Sequence, residues 1–305
     1  MDHIEKLRAI TKGSFLEEEL MRQHTSYGIG GPAKAYLTPK HEKDLSTVLK
    51  FANQNHIPTY FIGSGSNLLV SDKGINGLVI TLGRAIKDLQ IDGNQVYAES
   101  GVMLGKMVKV CMSNNLSGVE SLIGVPGTLG GALIMNAGAF GGEISNYLKQ
   151  VTVMTMKGHK KSYKRSEIEF SYRGSTFSKN EIIISANFEF IQSNAKTILE
   201  KKSLASGNRK ASQPLKFRSA GSVFKNPSEG AAGYFIDKAG LKGTKIGDAE
   251  ISEQHANFFI NHGNAKASDI VKLICLAKKT VLDQFGVMLE LEVKTLGFKA
   301  GTFDV

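Results

Sequence analysis

The chain has 305 residues, 41% of them hydrophobic and 22% charged, enough for two or three compact units with cores of their own. Its apolar runs, such as Leu68–Val70 and Ile182–Ile184, fall far short of the roughly 20 residues a membrane span needs, and Met1 to Lys6 lack the apolar stretch of a secretion signal. The formal charge of +10 invites a nucleic-acid reading, but the cations concentrate only at 196–225, where Phe217 and Phe224 alone accompany them; strand-binding surfaces interleave more aromatics.

In chain order, 41–55 reads as an amphipathic helix with Leu45, Val48, Leu49 and Ala52 on one face. Pro58 ends it and introduces a strand, Thr59–Ile62; Leu68–Val70 and Leu78–Leu82 then complete a small β-α-β-β unit. Gln95–Ala98 alternates as a strand and Leu104–Met112 as a helix with Met107, Val108 and Cys111 inward. Val151–Met156 and Lys161–Lys164 form a hairpin about Lys157-Gly158-His159, and Glu181–Phe190 is a long β-rich run. Residues 194–208 read as a polar helix leading into a third unit. That unit closes with an amphipathic helix, Ser268 to Phe285, whose stripe of Ile270, Leu273, Ile274, Ala277 and Val281 belongs to a core. Gly286 caps it. A strand, Val287–Leu296, follows, with Glu290, Glu292 and Lys294 on one face, the usual pattern of a solvated side.

Cys111 and Cys275 sit in apolar helical patterns without CxxC spacing and read as buried, reduced thiols. His255 and His262, seven apart, lack the spacing of a helical metal pair, so no metal is expected.

Two glycine-rich stretches carry the strongest chemical signal. Residues 124–142 hold seven glycines, one proline and no charge before Gly142, with Leu129, Ala132, Leu133, Ile134 and Met135 interleaved. A flexible linker would be polar; this stretch reads as the buried floor of a cofactor site, where backbone N–H groups can approach a ligand closely, with a tightly packed, turn-rich core as the alternative. Asn136 in its midst needs a hydrogen-bonding partner, and a cofactor is one option. The second stretch is Gly63-Ser64-Gly65-Ser66-Asn67. Its GxG lacks the third glycine and following helix of a Rossmann turn, because Leu68 opens a strand. A backbone nest with hydroxyl donors fits it better, and an ordinary glycine-rich turn fits it too.

Three further motifs are weak singly. In Tyr172-Arg173-Gly174-Ser175 the guanidinium suits a carboxylate, whether of a ligand or of an ion pair. In Gly221-Ser222-Val223-Phe224-Lys225-Asn226-Pro227 the serine has no GxSxG frame and no local histidine. The third is Glu292-Val293-Lys294.

Taken in order, these motifs are specific. The glycine pair resembles the FAD-binding halves of the vanillyl-alcohol-oxidase type fold. The whole series, with Tyr27-Gly28-Ile29-Gly30-Gly31-Pro32-Ala33 near the start, resembles the UDP-N-acetylenolpyruvoylglucosamine reductase family from about residue 20 to 298. The resemblance implies an α+β protein: a two-subdomain FAD-binding domain of this type (PCMH type) at 15–83 and 84–197, then a C-terminal α+β domain for a UDP-sugar at 198–298.

It also implies NADPH-dependent, FAD-mediated reduction of an enolpyruvyl UDP-sugar by a cytoplasmic monomer engaged in peptidoglycan precursor synthesis, with no nucleic-acid partner. On this resemblance Ser222 donates the proton, and Arg173 and Glu292 act on the enolpyruvyl group. FAD is held by Tyr27, Gly63, Ser64, Gly65, Ser66, Asn67, Leu68, Gly124, Gly127, Thr128, Gly131, Asn136, Ala137, Gly138 and Ile183. Arg209, Lys225 and Asn226 hold the substrate. Lys294 stands where the family favours arginine, and Ser212 where many members have lysine, a role open to Lys210. The short 175–221 spacing matches the subclass without an inserted tyrosine loop. The competing readings are an oxidase of the same fold, although neither glycine motif offers a histidine to tether a flavin, and a non-enzymatic anion- or nucleic-acid-binding protein using 196–225.

Overall fold

The computed structural model describes residues 3–83 and 85–305; Met1, Asp2 and Arg84 lie outside the described residues, and with them the first two positions of the N-terminal signal reading and the expected subdomain start at 84. The chain forms two compact units, each assembled from three stretches: Met1–Glu17, Ala35–Ser64 and Gly77–Arg209 in the first, Glu18–Lys34, Gly65–Asn76 and Lys210–Val305 in the second. Its helices are α1 (His3–Ile10), α2 (Glu42–Gln54), α3 (Leu104–Ser113), α4 (Leu129–Ile134), α5 (Ala195–Ser212), α6 (Ala232–Lys238) and α7 (Ala267–Phe285). Among the described residues, none is long and apolar enough to cross a membrane.

The first unit is built on an antiparallel sheet in the order Lys160–Lys164, Leu148–Thr155, Glu181–Glu189, Gln95–Glu99, Leu89–Asp92. The central strand, Glu181–Glu189, separates two cores. Ile182 and Ile184 join Leu45, Val48, Leu49 and Ala52 of α2 in one. Ile183, Ala186 and Phe188 join Met107, Val108 and Cys111 of α3 and Leu129 and Leu133 of α4 in the other. Strict alternation would set Ile183 and Ala186 on opposite faces. The register steps from Thr152↔Ser185 to Val153↔Ile183, so Ile184 is the extra residue of a bulge that returns both to one core. Each fully buried leucine or valine of α2 contributes about 1.5–3 kcal/mol, more than any cap, so packing decides that this segment is helical.

The expected β-α-β-β unit needs correction. Thr59–Ile62 pairs in parallel with Leu78–Thr81, but Leu68–Val70 belongs to the second unit, where it pairs in parallel with Lys294–Leu296. Also in the second unit, Lys245–Ile246, Ala249–Ile251 and Phe259–Asn261 form an antiparallel sheet. Ile270, Leu273, Ile274, Ala277 and Val281 of α7 are fully buried in the same core, and Gly286 takes the left-handed C-cap at φ 68°.

Other expectations are corrected too. The strand expected over Val287–Leu296 is a ladder only at Lys294–Leu296, because Leu291 bridges Phe224 while Lys294 pairs with Leu68; the two partners differ and no single ladder runs through. The glycine floor contains a helix, α4, and Ile134 at its end is 39% exposed. Cys275 is half-buried, on the flank of α7's apolar stripe, whereas Cys111 is buried. The polar helix α5 runs on to Ser212.

Candidate functional site

In the first unit Gly63, at the start of the shorter glycine motif, meets Thr128 of the longer one. A methyl group on Gly63 would collide with Thr128 Oγ1, and Thr81 Oγ1 donates to the Gly63 carbonyl at 3.3 Å. Thr128 caps α4, its Oγ1 accepting from the Gly131 N–H at 3.4 Å. Gly124 and Gly127 hold φ of 75° and 136°, which side-chain-bearing residues rarely adopt. Ala137 closes the turn, donating its N–H to Ala132 and accepting from Ile144. Ile183 lies 4% exposed in the adjoining core.

Asn136 links this floor to the Arg173 hairpin. It is fully buried, with φ of 42°. Its Nδ2 donates to Glu143 Oε2 at 2.7 Å and to the Ser171 carbonyl at 3.2 Å. Ser171 begins the two-residue turn between Phe170–Ser171 and Gly174–Ser175. Arg173 occupies that turn at φ 58°, a left-handed conformation that costs a non-glycine residue roughly 1 kcal/mol or more. Its guanidinium lies over the Tyr172 ring at 4.9 Å, and Ser175 Oγ anchors the hairpin to the Ile134 carbonyl at 2.8 Å. A Cβ on Gly138 would stand 3.7 Å from an Arg173 terminal nitrogen. Arg209, on α5, packs its Cδ 3.1 Å from where Gly124 would carry a Cβ, and burial pulls its guanidinium below the ordinary value.

In the second unit, Tyr27 is fully buried, and burial pushes its phenol up. Asn261 Nδ2 donates to the Tyr27 carbonyl at 2.8 Å. Gly65 has φ of 67°, its carbonyl oxygen accepts from the Ser26 N–H at 3.1 Å, and it has no room for a Cβ against the His24 carbonyl. Asn67 Nδ2 donates to the Glu292 carbonyl at 3.1 Å, and the Asn67 carbonyl accepts from the Lys294 N–H at 3.0 Å. The Glu292 N–H in turn donates to the carbonyl of Val223 at 2.8 Å. Asn67, Glu292 and the segment after Ser222 are therefore three neighbouring strands of backbone. Leu68 is buried in the outer pair.

Lys225 Nζ forms an ion pair with Glu290 at 2.6 Å, and Glu290 and Lys294 on this side of the 287–296 segment are exposed. Asn226 Oδ1 accepts from the Ala232 N–H at 3.1 Å, at the start of α6. The structure thus brings Glu292 against the backbone of Val223, one residue after Ser222, in the second unit, and Arg173, Asn136 and the glycine floor together in the first.

Several buried side-chain atoms have no hydrogen-bond partner within the protein: Ser64 Oγ and Asn136 Oδ1 in the first unit, Tyr27 Oη and Asn67 Oδ1 in the second, with Ser100 Oγ beside Gly130. Each such group costs about 1–3 kcal/mol if left unsatisfied. Four of the five lie on the motifs singled out in the sequence, two in each unit. Within the first unit, Ser64 and Asn136, with the glycine backbones beside them, are of the chemistry that fits the polar atoms of FAD.

Sequence reasoning passed over Asn257 and Asn261, both 3% exposed. A signal was available: each is a lone amide in the apolar run Ala256-Asn257-Phe258-Phe259-Ile260-Asn261, and a buried amide must be hydrogen-bonded.

The glycine-turn cradle and mixed sheet define an FAD-binding domain of the PCMH type. Residues 33–162 match the FAD binding domain model, and 213–296 match the C-terminal domain of UDP-N-acetylenolpyruvoylglucosamine reductase. The Clostridioides difficile (strain 630) UDP-N-acetylenolpyruvoylglucosamine reductase is 41% identical over 97% of both chains. The Thermus caldophilus enzyme of that name superposes with a TM-score of 0.80 at 33% identity, covering 94% of this chain and 99% of that one. A Phl p 4 glucose oxidase variant, 12% identical, shares the fold alone, with a TM-score of 0.51 over 94% of this chain and 59% of its own. The chain belongs to the UDP-N-acetylenolpyruvoylglucosamine reductase family, a family of flavin oxidoreductases.

Proposed function

We propose that this protein reduces UDP-N-acetylglucosamine enolpyruvate to UDP-N-acetylmuramate with electrons from NADPH, as a cytoplasmic monomer supplying peptidoglycan synthesis. The observation that supports the reading is the hydrogen bond from the Glu292 N–H to the Val223 carbonyl at 2.8 Å, one residue after Ser222. Tyr27, Gly63 to Leu68, Gly124, Gly127, Thr128, Gly131, Asn136 to Gly138 and Ile183 hold FAD, within 15–83 and 84–197. The 198–298 domain takes the UDP-sugar.

When bound by these residues, FAD would supply two-electron hydride chemistry linking NADPH to the vinyl group of the substrate. The chain's own residues handle the charge and the proton. Arg173 neutralises negative charge that grows on the substrate carboxylate, as preorganised donors do for an oxyanion. Its turn, braced through Asn136 and Ser175, fixes the guanidinium without reorganisation during reaction. Ser222 Oγ gives its proton to the carbon next to that carboxylate. A hydroxyl is a weak acid, far from the optimum for general catalysis, but an enolate conjugated to a carboxylate is basic enough to take it. Lys225, three residues on, stabilises the resulting alkoxide by exchanging Glu290 for it. Glu292 hydrogen-bonds the carboxylate when protonated. Arg209, Lys225 and Asn226 bind the substrate.

The purified protein is expected to be yellow, to bleach with NADPH under anaerobic conditions and to regain colour on adding the enolpyruvyl UDP-sugar. A colourless protein that cannot be reconstituted with FAD would sink the reading; bleaching by an alcohol or amine instead would make it an oxidase. Ser222→Ala should bleach normally yet fail to turn over.

A further inference from the structure

The segment that carries Ser222 is held from two sides. On one side, Val223 accepts from the N–H groups of Glu292 and Val293, at 2.8 and 3.2 Å, and the Lys225 N–H donates to Glu290 at 2.9 Å. On the other side the chain turns, with the Phe258 N–H donating to the His255 carbonyl at 2.9 Å and the Asn257 N–H to His255 Nδ1 at 3.2 Å. A turn cannot present a regular row of backbone partners.

Asn257 fills the gap with its side chain. Its backbone carbonyl accepts from the Val223 N–H at 2.9 Å. Its Oδ1 accepts from the Phe224 N–H at 2.9 Å, and its Nδ2 donates to the Phe224 carbonyl at 2.8 Å. The amide thus pairs with Phe224 as a residue of an adjacent antiparallel strand would. Both residues are buried, so water cannot replace these bonds. Gly221, at φ 75°, turns the chain immediately before Ser222, and Ser222 itself bridges Phe258 in antiparallel fashion, so the serine is set by that bridge together with what grips the residues after it.

We infer that Asn257 is a positioning residue for proton delivery: it locks the backbone of Val223 and Phe224 and so fixes where Ser222 stands, without touching the reactants. This rests on the reading of Ser222 as proton donor. The flavin-loaded variants Asn257→Ser and Asn257→Asp test it by rapid mixing, with rates referred to bound flavin so that unfolded protein is not counted.

Bleaching by NADPH should stay within about two-fold of the unaltered protein, while re-oxidation by the enolpyruvyl UDP-sugar slows roughly 100-fold, the scale of an ångström's misplacement. The solvent deuterium isotope effect on re-oxidation should rise. Asn257→Asp should recover part of its rate as pH falls, because a protonated carboxyl can donate to Phe224 again. Ile260→Val, a buried change on the next strand, should leave both rates alone. Unchanged re-oxidation in both Asn257 variants, or equal slowing of both half-reactions, overturns the inference. Normal re-oxidation in Ser222→Ala would instead overturn the donor assignment itself.

Discussion

Gly63 illustrates how much a single position constrains the cofactor cradle. Its missing Cβ is the space occupied by Thr128 Oγ1, and Thr128 caps α4. Gly63→Ala must push that cap aside, at about 1–3 kcal/mol for overpacking. We expect a lower unfolding midpoint and a lower flavin-to-protein absorbance ratio; unchanged values of both would show that the cradle tolerates the methyl. Cys111 carries a pH signature. Burial pushes its thiol from 9.0 up to about 12, so the folded chain keeps its proton where the unfolded chain loses it. That contribution is complete below pH 9.0 and is lost as pH rises toward 12. In urea titrations between about pH 8 and 11, Cys111→Ala should be less stable overall but lose stability less steeply than the unaltered protein; parallel curves would exclude the thiol as the cause. Thiol labelling of the native protein should modify Cys275 well before Cys111.

At the scale of elements, α7 shows what can and cannot be read locally. Its apolar stripe is legible because a spacing of three and four residues survives in one dimension, and its end is legible because Gly286 is. Its start depends on a distant residue: Asp72 accepts from the Ala267 N–H at 2.8 Å and from the Ser268 N–H at 3.0 Å. Asp72→Ala should cost about 1–2 kcal/mol, the scale of a lost N-cap, and lower the thermal midpoint. A midpoint like that of the unaltered protein would show that Asp269, which accepts from the Lys266 N–H at 3.0 Å, suffices alone. The opposite case is α4, whose Gly130 and Gly131 conceal a helix that packing of Leu129 and Leu133 stabilises against poor propensity. The 287–296 segment alternates like a strand, yet its neighbours change midway, and pattern carries no information about neighbours.

Across the whole molecule, each unit is assembled from stretches far apart in sequence, so its cores form only when long loops close. A group that binds the folded state alone stabilises it by mass action, about 2.7 kcal/mol at a free concentration 100-fold above its dissociation constant. Removing FAD should therefore lower the thermal midpoint, and titrating it back should restore the midpoint with rising concentration; a midpoint indifferent to FAD would contradict the assignment of the buried polar atoms to its site. The net charge of +10 predicts weak, salt-sensitive retention on nucleic acid at most, and tight binding at physiological salt would revive the anion-binding alternative.

The glycine motifs, the helices α2 and α7 and the order of the Arg173, Ser222 and Glu292 segments were determined by the sequence alone, because turn chemistry and periodicity are properties of neighbouring residues. Which segments meet was decided only in three dimensions. Leu68–Val70 pairs with Lys294–Leu296 rather than with its sequence neighbours, Asn67 and Val223 flank Glu292, and Asn257 grips the strand of Ser222. Those contacts satisfy buried backbone and amide groups, a requirement that any of several distant partners could meet and that only the folded chain assigns.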